Sequence, residues 1–92
     1  MNDLEIFRTE LDETDKNLID YFSMRFKLIE KIGKYKKKNN ITLLQPERWQ
    51  QVLDSRKAYW KDKWIKESFI EEVWNKIHKY SLELEKEKWK KD

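Results

Sequence analysis

Apolar residues recur at helical spacing through the N-terminal part of the chain. They span about nine helical turns, and the positions are Leu4, Phe7, Leu11, Leu18, Phe22, Ile29 and Ile32. This spacing places apolar side chains along one face of an α-helix. The pattern therefore predicts a first helix over residues 4–38, with Asp3 as its N-cap.

Two asparagines and a proline interrupt the pattern after this helix. Asn39 and Asn40 tolerate the left-handed conformation that ends a helix, and Pro46 suits the first position of the next one. We therefore expect a second helix from Pro46 to Trp60. The residues that continue this helix are Trp49, Val52, Leu53, Arg56, Tyr59 and Trp60.

Residues 61–67 are expected to turn the chain, although they contain no glycine. A third helix then begins at Glu67 or Ser68 and continues to about Trp89. Its predicted apolar face consists of Phe69, Val73, Ile77, Tyr80 and Leu84, and its lysine-rich end is expected to fray. The predicted fold class is all-α, with three helices per chain and a long first helix.

The first helix is long for a chain of this size. At 1.5 Å per residue, about 35 residues extend about 50 Å, which exceeds the span of a compact three-helix bundle. A homodimer with C2 symmetry, in which two long helices pack together, would cover its apolar face. A partly exposed coiled coil is the alternative.

Composition and charge restrict the possible partners. The 92 residues are 38% hydrophobic and 42% charged, with 21 basic and 18 acidic residues interspersed to a net charge of +3. A nucleic-acid binder carries a stronger basic stripe, so we expect a small anionic ligand and no nucleic acid. The absence of cysteine excludes a disulfide framework and a thiolate site, and it favours the cytoplasm. Neither a signal region nor a membrane-length apolar run occurs, so no membrane partner is expected.

Arg25 is the cation that most strongly indicates a ligand. Its helical neighbours three and four positions away are aromatic or aliphatic, namely Tyr21, Phe22, Leu28 and Ile29. A charge on apolar surface needs a partner. Lys36 follows 11 residues later, close to three turns, and so lies on nearly the same face. A bound anion would satisfy both, although an arginine can also extend its head into water.

Two further arginines have structural as well as functional interpretations. Arg8 has Glu5 and Asp12 within reach, which predicts an ordinary surface ion pair. Arg48 lies in the first turn of the second helix, where the helix dipole disfavours a cation, and this favours a specific ligand. Lys36 belongs to a lysine cluster that a helix C-terminus would also favour.

His78, Ser81 and Glu85 share one face of the third helix. Residues on one straight helix rarely place a nucleophile, a base and an acid in the required order, and no oxyanion-hole glycines are nearby. We therefore expect neither nucleophilic catalysis nor a metal site. The structural alternatives are a core-edge His78 beside Trp74, a Ser81 bonded to a backbone carbonyl, and an exposed pair of Glu85 with Lys88.

The order of these elements resembles a known family. The order is Arg8, Arg25, Gly33-Lys34-Tyr35-Lys36, Leu43-Leu44-Gln45-Pro46-Glu47-Arg48-Trp49, Ile77-His78-Lys79-Tyr80-Ser81 and Glu85. It resembles the all-helical (AroQ) class of chorismate mutase from about Leu4 to Glu85. The resemblance implies one domain over residues 1–92 that forms an intertwined homodimer. It also implies the Claisen rearrangement of chorismate to prephenate, in phenylalanine and tyrosine biosynthesis, without a cofactor.

The resemblance implies a role for each polar site residue. Arg25 would bind one substrate carboxylate, Arg48 would support that site, and Lys36 would donate to the ether oxygen. Glu85 would lie opposite Lys36 across that oxygen, and Ser81 would contact the carboxylate or hydroxyl region. The catalytic residues implied are therefore Lys36, Glu85 and Arg25.

Arg8 would bind the second carboxylate from the partner subunit. Arg8 and Arg25 are 17 residues apart, which is about 25 Å along one helix and too far to hold one small ligand within a chain.

The chain departs from the family pattern in three respects, which involve four positions. Glu85 stands where many relatives carry Gln, and it can donate to the ether oxygen only when protonated. We therefore expect activity to fall as the pH rises, and Glu85→Gln to flatten the profile. Gln45 and Trp49 stand where Asp and Glu are common, although Gln45 can accept the hydrogen bond of the ring hydroxyl. Trp64 stands where glycine is common.

Three other functions compete with this interpretation. An isochorismate-pyruvate lyase resembles the mutase in its helical dimer and its cations, but the polar face from His78 to Glu85 favours the mutase. A non-enzymatic helical dimerisation module would leave Arg25 unexplained. A small nucleic-acid binder would lose affinity steeply with salt.

Overall fold

The computed structural model of the chain describes residues 2–61 and 63–91. These residues form three α-helices, which are α1 (Asp3–Lys38), α2 (Pro46–Trp60) and α3 (Glu67–Lys91). Within the described ranges there is no β-strand. The predicted all-α class with a long first helix is therefore confirmed.

Local capping signals determine both ends of α1. The side chain of Asn2 accepts a hydrogen bond from the backbone N–H of Glu5 at 2.9 Å, so Asn2 is the N-cap. The prediction of Asp3 as N-cap is wrong by one residue, and Asp3 instead places a negative charge in the first turn. At the other end Asn39 is the C-cap and Asn40 has a φ of 55°, as the asparagine pair predicted.

The boundaries of α2 and α3 also follow from the sequence. Pro46 begins α2, where its fixed φ suits the first turn. The predicted turn over residues 61–67 is present in its described part, whereas Asp62 lies outside the described residues. Trp64 has a φ of 62°, the left-handed region that glycine adopts most readily. The third helix continues to Lys91, two residues beyond the predicted end.

The core forms where α3 packs against both other helices. Its buried apolar residues are Val52 on α2 and Ile70 and Ile77 on α3. The predicted apolar face of α3 is wrong at Phe69 and Tyr80, which are exposed, because the face that meets α1 and α2 is rotated toward Ile70. Tyr80 keeps an edge-to-face contact with Phe26 of α1 at 4.7 Å.

Gly33 allows α1 and α3 to approach closely. A Cβ atom at this position would lie 3.3 Å from the Cα of Glu85, which is tighter than ordinary side-chain packing. Gly33 is also the buried residue of α1. This glycine therefore brings the two helices together one turn before Lys36.

The N-terminal half of α1 extends away from the other helices. Residues 2–24 are all exposed, and the chain measures 57 × 28 × 15 Å. Several large apolar side chains on this half are more than half exposed, among them Phe7 (61%) and Leu11 (58%). The described chain thus leaves the N-terminal part of the predicted apolar face of α1 uncovered. In the described part of the chain, no helix is both long enough and apolar enough to cross a membrane.

Candidate active site

A cavity of about 330 Å³ lies between the C-terminal half of α1, the loop after it, α2 and α3. Its lining combines cations, aromatic rings and aliphatic side chains. The lining residues are Arg25, Ile29, Ile32, Lys36, Leu43, Gln45, Arg48, Trp49, Val52, Arg56, His78, Ser81, Leu82 and Glu85. Such a mixed cavity is typical of a small-molecule site.

Lys36 and Glu85 form a buried ion pair in this cavity. The Lys36 Nζ lies 2.9 Å from the Glu85 Oε1, and their side chains are only 14% and 4% exposed. Lys36 also donates to the backbone carbonyl of Leu43 at 2.7 Å. The close approach at Gly33 sets this geometry. The interpretation of Glu85 as an exposed partner of Lys88 is wrong because Glu85 is buried, and the side chain of Lys88 lies outside the described residues.

Arg25 is bonded to Ser81 rather than to an acid. Its Nη1 donates to the Ser81 Oγ at 3.1 Å, and the Ser81 hydroxyl donates to the Ile77 carbonyl at 2.7 Å. Ser81 therefore satisfies a backbone carbonyl, as one sequence interpretation predicted, and also orients the guanidinium. None of the described carboxylates lies within ion-pairing distance of Arg25.

The surroundings of Arg25 disfavour its positive charge. Burial lowers the pKa of its guanidinium from the ordinary value, and the nearby cations Arg56 and Arg48 lower it further. All three arginines line the cavity. Because like charges repel at short range, this arrangement favours a negatively charged ligand.

An aromatic stack also lines the cavity. The rings of Trp49 and His78 are stacked with centroids 4.0 Å apart and planes 15° from parallel. Burial lowers the pKa of His78, Glu85 raises it, and Arg25 and Lys36 lower it. The net lowering keeps the imidazole neutral at pH 7. The sequence predicted Trp74 as its neighbour, whereas the stacking partner is Trp49.

One predicted site residue is absent from the cavity. Six of the predicted site residues line the cavity, namely Lys36, Glu85, Arg25, Gln45, Arg48 and Ser81. Arg8 lies on the exposed N-terminal half of α1 and does not line the cavity. Sequence reasoning gave no role to Arg56, although its spacing of four residues from Val52 and eight from Arg48 was a usable signal.

The family described as chorismate mutase type II matches residues 7–86, a range that includes every cavity-lining residue. The chain belongs to this chorismate mutase family. The predicted resemblance to the all-helical class is therefore confirmed, and membership of this family indicates an isomerase.

Relatives of the chain carry two kinds of name. A 4-amino-4-deoxychorismate mutase of Streptomyces venezuelae is 33% identical over 76 residues, which cover 83% of this chain and 74% of that protein. A protein of the same name from Streptomyces pristinaespiralis is 30% identical over 84 residues, or 91% of this chain and 65% of that protein. The T-protein of Haemophilus influenzae is 32% identical over 73 residues, or 79% of this chain but 19% of that protein. The chain thus spans about a fifth of that T-protein.

Proposed function

We propose that this chain catalyses the Claisen rearrangement of chorismate to prephenate, a step toward phenylalanine and tyrosine. The observation that carries the proposal is the buried Lys36–Glu85 pair in the same cavity as Arg25 and Arg48. The reaction is unimolecular, so it needs a folded substrate and well-placed hydrogen-bond donors. Fixed charges on rigid helices supply both requirements.

The donor capacity of Lys36 supports its role at the ether oxygen. A lysine ammonium has three N–H donors. Two are used by the Leu43 carbonyl and by Glu85, which leaves one for a ligand. As the ether C–O bond breaks, negative charge develops on its oxygen, and Lys36 stabilises that charge.

Glu85 has two possible states in this proposal. Ionised, it accepts a hydrogen bond from Lys36 and holds the ammonium in place. Protonated, it donates to the ether oxygen, as a Gln would at any pH. Its burial between α1 and α3 keeps water from competing for either contact.

The arginines hold the substrate carboxylates. Arg25 has further donors beyond the one bonded to Ser81, and a planar guanidinium binds a carboxylate through two parallel hydrogen bonds. Arg48 reaches the same cavity from α2. Gln45, on the loop before α2, accepts the hydrogen bond of the ring hydroxyl.

The proposal includes a homodimer in which a second copy supplies Arg8. An apolar groove of about 820 Å³ lies beside the active cavity, between α1, α2 and α3, and its lining includes Phe22, Trp60 and Ile70. In this proposal the exposed apolar half of α1 from a second copy fills this groove, because both surfaces are apolar. Arg8 lies beside Phe7 on that half, so the same packing would carry it toward the cavity.

The charge of the cavity favours a hydroxyl over an amine on the substrate ring. The names of the two Streptomyces relatives raise 4-amino-4-deoxychorismate as a second candidate substrate. Its amine is protonated near neutral pH and would require an acid. The cavity-lining acid Glu85 is already paired with Lys36, and Gln45 and Trp49 are uncharged. Chorismate is therefore the preferred substrate.

The test is product analysis by chromatography after incubating the purified protein separately with chorismate, isochorismate and 4-amino-4-deoxychorismate. Prephenate from chorismate at the highest kcat/KM supports the proposal. Salicylate and pyruvate from isochorismate alone would assign the lyase activity instead. Preferred turnover of the amino compound would refute the charge argument.

A further inference from the structure

Arg56 lies where the active cavity and the apolar groove meet. It lines the cavity together with Arg25 and Arg48, and it also lines the groove together with Trp60 and Ile70. Arg48 and Arg56 are eight residues apart on α2, so they lie on the same face about 12 Å apart along the helix axis. Arg56 is therefore a third cavity arginine, at the end opposite Arg48.

The charge of Arg56 is not neutralised within the described chain. Its Nη1 donates to the Ser55 hydroxyl at 2.9 Å, and no described carboxylate pairs with it. The next residue differs in this respect. Lys57 lies 3.5 Å from a Glu67 carboxylate oxygen and 3.7 Å from one of Glu71. Adjacent residues of α2 thus differ, because Lys57 pairs with α3 whereas Arg56 lines the cavity.

Arg25 and Arg56 line the same cavity and repel each other electrostatically. Their mutual repulsion is part of what lowers the pKa of Arg25, and a negative charge between them would relieve it. Each guanidinium donates a hydrogen bond to a serine hydroxyl through one of its five N–H groups, which leaves donors for a ligand. Two planar guanidinium groups can then share the two oxygens of one carboxylate.

We propose that Arg56 is a substrate-binding residue that holds, together with Arg25, the substrate carboxylate at the groove end of the cavity. This inference rests on the proposed function and adds a residue that the family resemblance did not supply. It gives each chain three carboxylate-binding arginines before a second copy contributes Arg8. Arg56 lowers KM more than it raises kcat, because a carboxylate distant from the breaking bond carries the same charge in substrate and transition state.

The experiment compares Arg56→Leu and Arg56→Lys with wild type and with Lys57→Gln, a control that removes one positive charge from the same helical turn outside the cavity. Steady-state kinetics with chorismate give kcat and KM. Tryptophan fluorescence gives the affinity for prephenate without requiring turnover, because Trp49 lines the cavity. The Tm of each ligand-free variant reports any structural damage.

Arg56→Leu is expected to raise KM and to weaken prephenate binding about 10- to 100-fold, the value of a lost hydrogen bond to a charged group. Arg56→Lys keeps the charge but loses the planar fork, so it restores part of the affinity. Lys57→Gln leaves KM unchanged. The Tm of Arg56→Leu does not fall, because the substitution removes a repulsive charge.

If wild type is active and the KM of Arg56→Leu lies within about twofold of the wild-type KM, the inference is overturned. An equal rise of KM in Lys57→Gln would overturn it too, by assigning the effect to net charge. If wild type binds prephenate through Arg56 but does not convert chorismate, the proposed function is refuted. The inference that Arg56 binds a carboxylate then still stands. Protein that neither converts chorismate nor binds prephenate would refute both.

Discussion

The buried Lys36–Glu85 pair makes a quantitative prediction about stability. At an effective dielectric constant of about 20, unit charges 2.9 Å apart attract by about 6 kcal/mol. Desolvation of both groups offsets part of that attraction. Lys36→Met leaves the Glu85 carboxylate buried without its cation, which costs about 3–5 kcal/mol. We therefore expect Lys36→Met to lower the free energy of unfolding by that amount at pH 7.

The double variant Lys36→Met/Glu85→Leu separates the energetic effect of the ion pair from that of side-chain packing. An apolar replacement of both partners removes the orphaned charge, so its stability is expected to return to within about 1 kcal/mol of wild type. Lys57→Met is the matched control. Lys57 pairs with Glu67 and Glu71, whose side chains are 60% and 45% exposed. Removing the lysine charge is therefore expected to lower the free energy of unfolding by less than about 1 kcal/mol.

Urea unfolding followed by circular dichroism gives these free energies. All variants are compared at one protein concentration, because the stability of an oligomer depends on concentration. A Lys36→Met variant no less stable than Lys57→Met would refute the argument. A double variant no more stable than Lys36→Met would also refute it, because the cost would then come from packing rather than from an unpaired charge.

Three further predictions concern pH and assembly. If protonated Glu85 donates to the ether oxygen, wild-type kcat falls as the pH rises whereas Glu85→Gln has a flat profile; a flat wild-type profile from acid to neutral pH would exclude a catalytic proton there. Burial lowers the pKa of His78 below its ordinary value, so the folded chain binds fewer protons than the unfolded chain between the two pKa values. Wild type therefore loses stability relative to His78→Gln as the pH falls through about 6.5, and parallel stability curves would contradict this. If a second copy supplies Arg8, mixing unfolded Arg8→Ala and Arg25→Ala chains and refolding them together restores activity at about one quarter of the sites, whereas persistent inactivity would exclude a shared site.

Local signals explain why the helices were predictable from the sequence. Pro46 and the Asn39–Asn40 pair act through their own backbone preferences, and the structure keeps both boundaries. The N-cap was one residue off because Asn2 and Asp3 are both good capping residues. The buried face of α3 was partly wrong because periodicity gives a helix face only approximately, and tertiary packing selects Ile70 over Phe69.

The candidate site was only partly predictable for a related reason. Arg25 and Lys36 share a face of one helix, so their sequence spacing revealed their alignment. The contact of Trp49 with His78 and the place of Arg56 depend on how α2 meets α3, which no spacing within one helix specifies. The family resemblance also gave no signal for Arg56, because the residues to which it gives a role do not include that position.

The kcat of Lys36→Ala with chorismate tests the central claim most directly. Wild type is measured in parallel, and circular dichroism establishes that the variant is folded under the assay conditions. Removing a donor aimed at developing negative charge typically lowers kcat by about 100- to 1000-fold, and the account predicts a loss of at least that size. A folded Lys36→Ala variant with near wild-type kcat would contradict it.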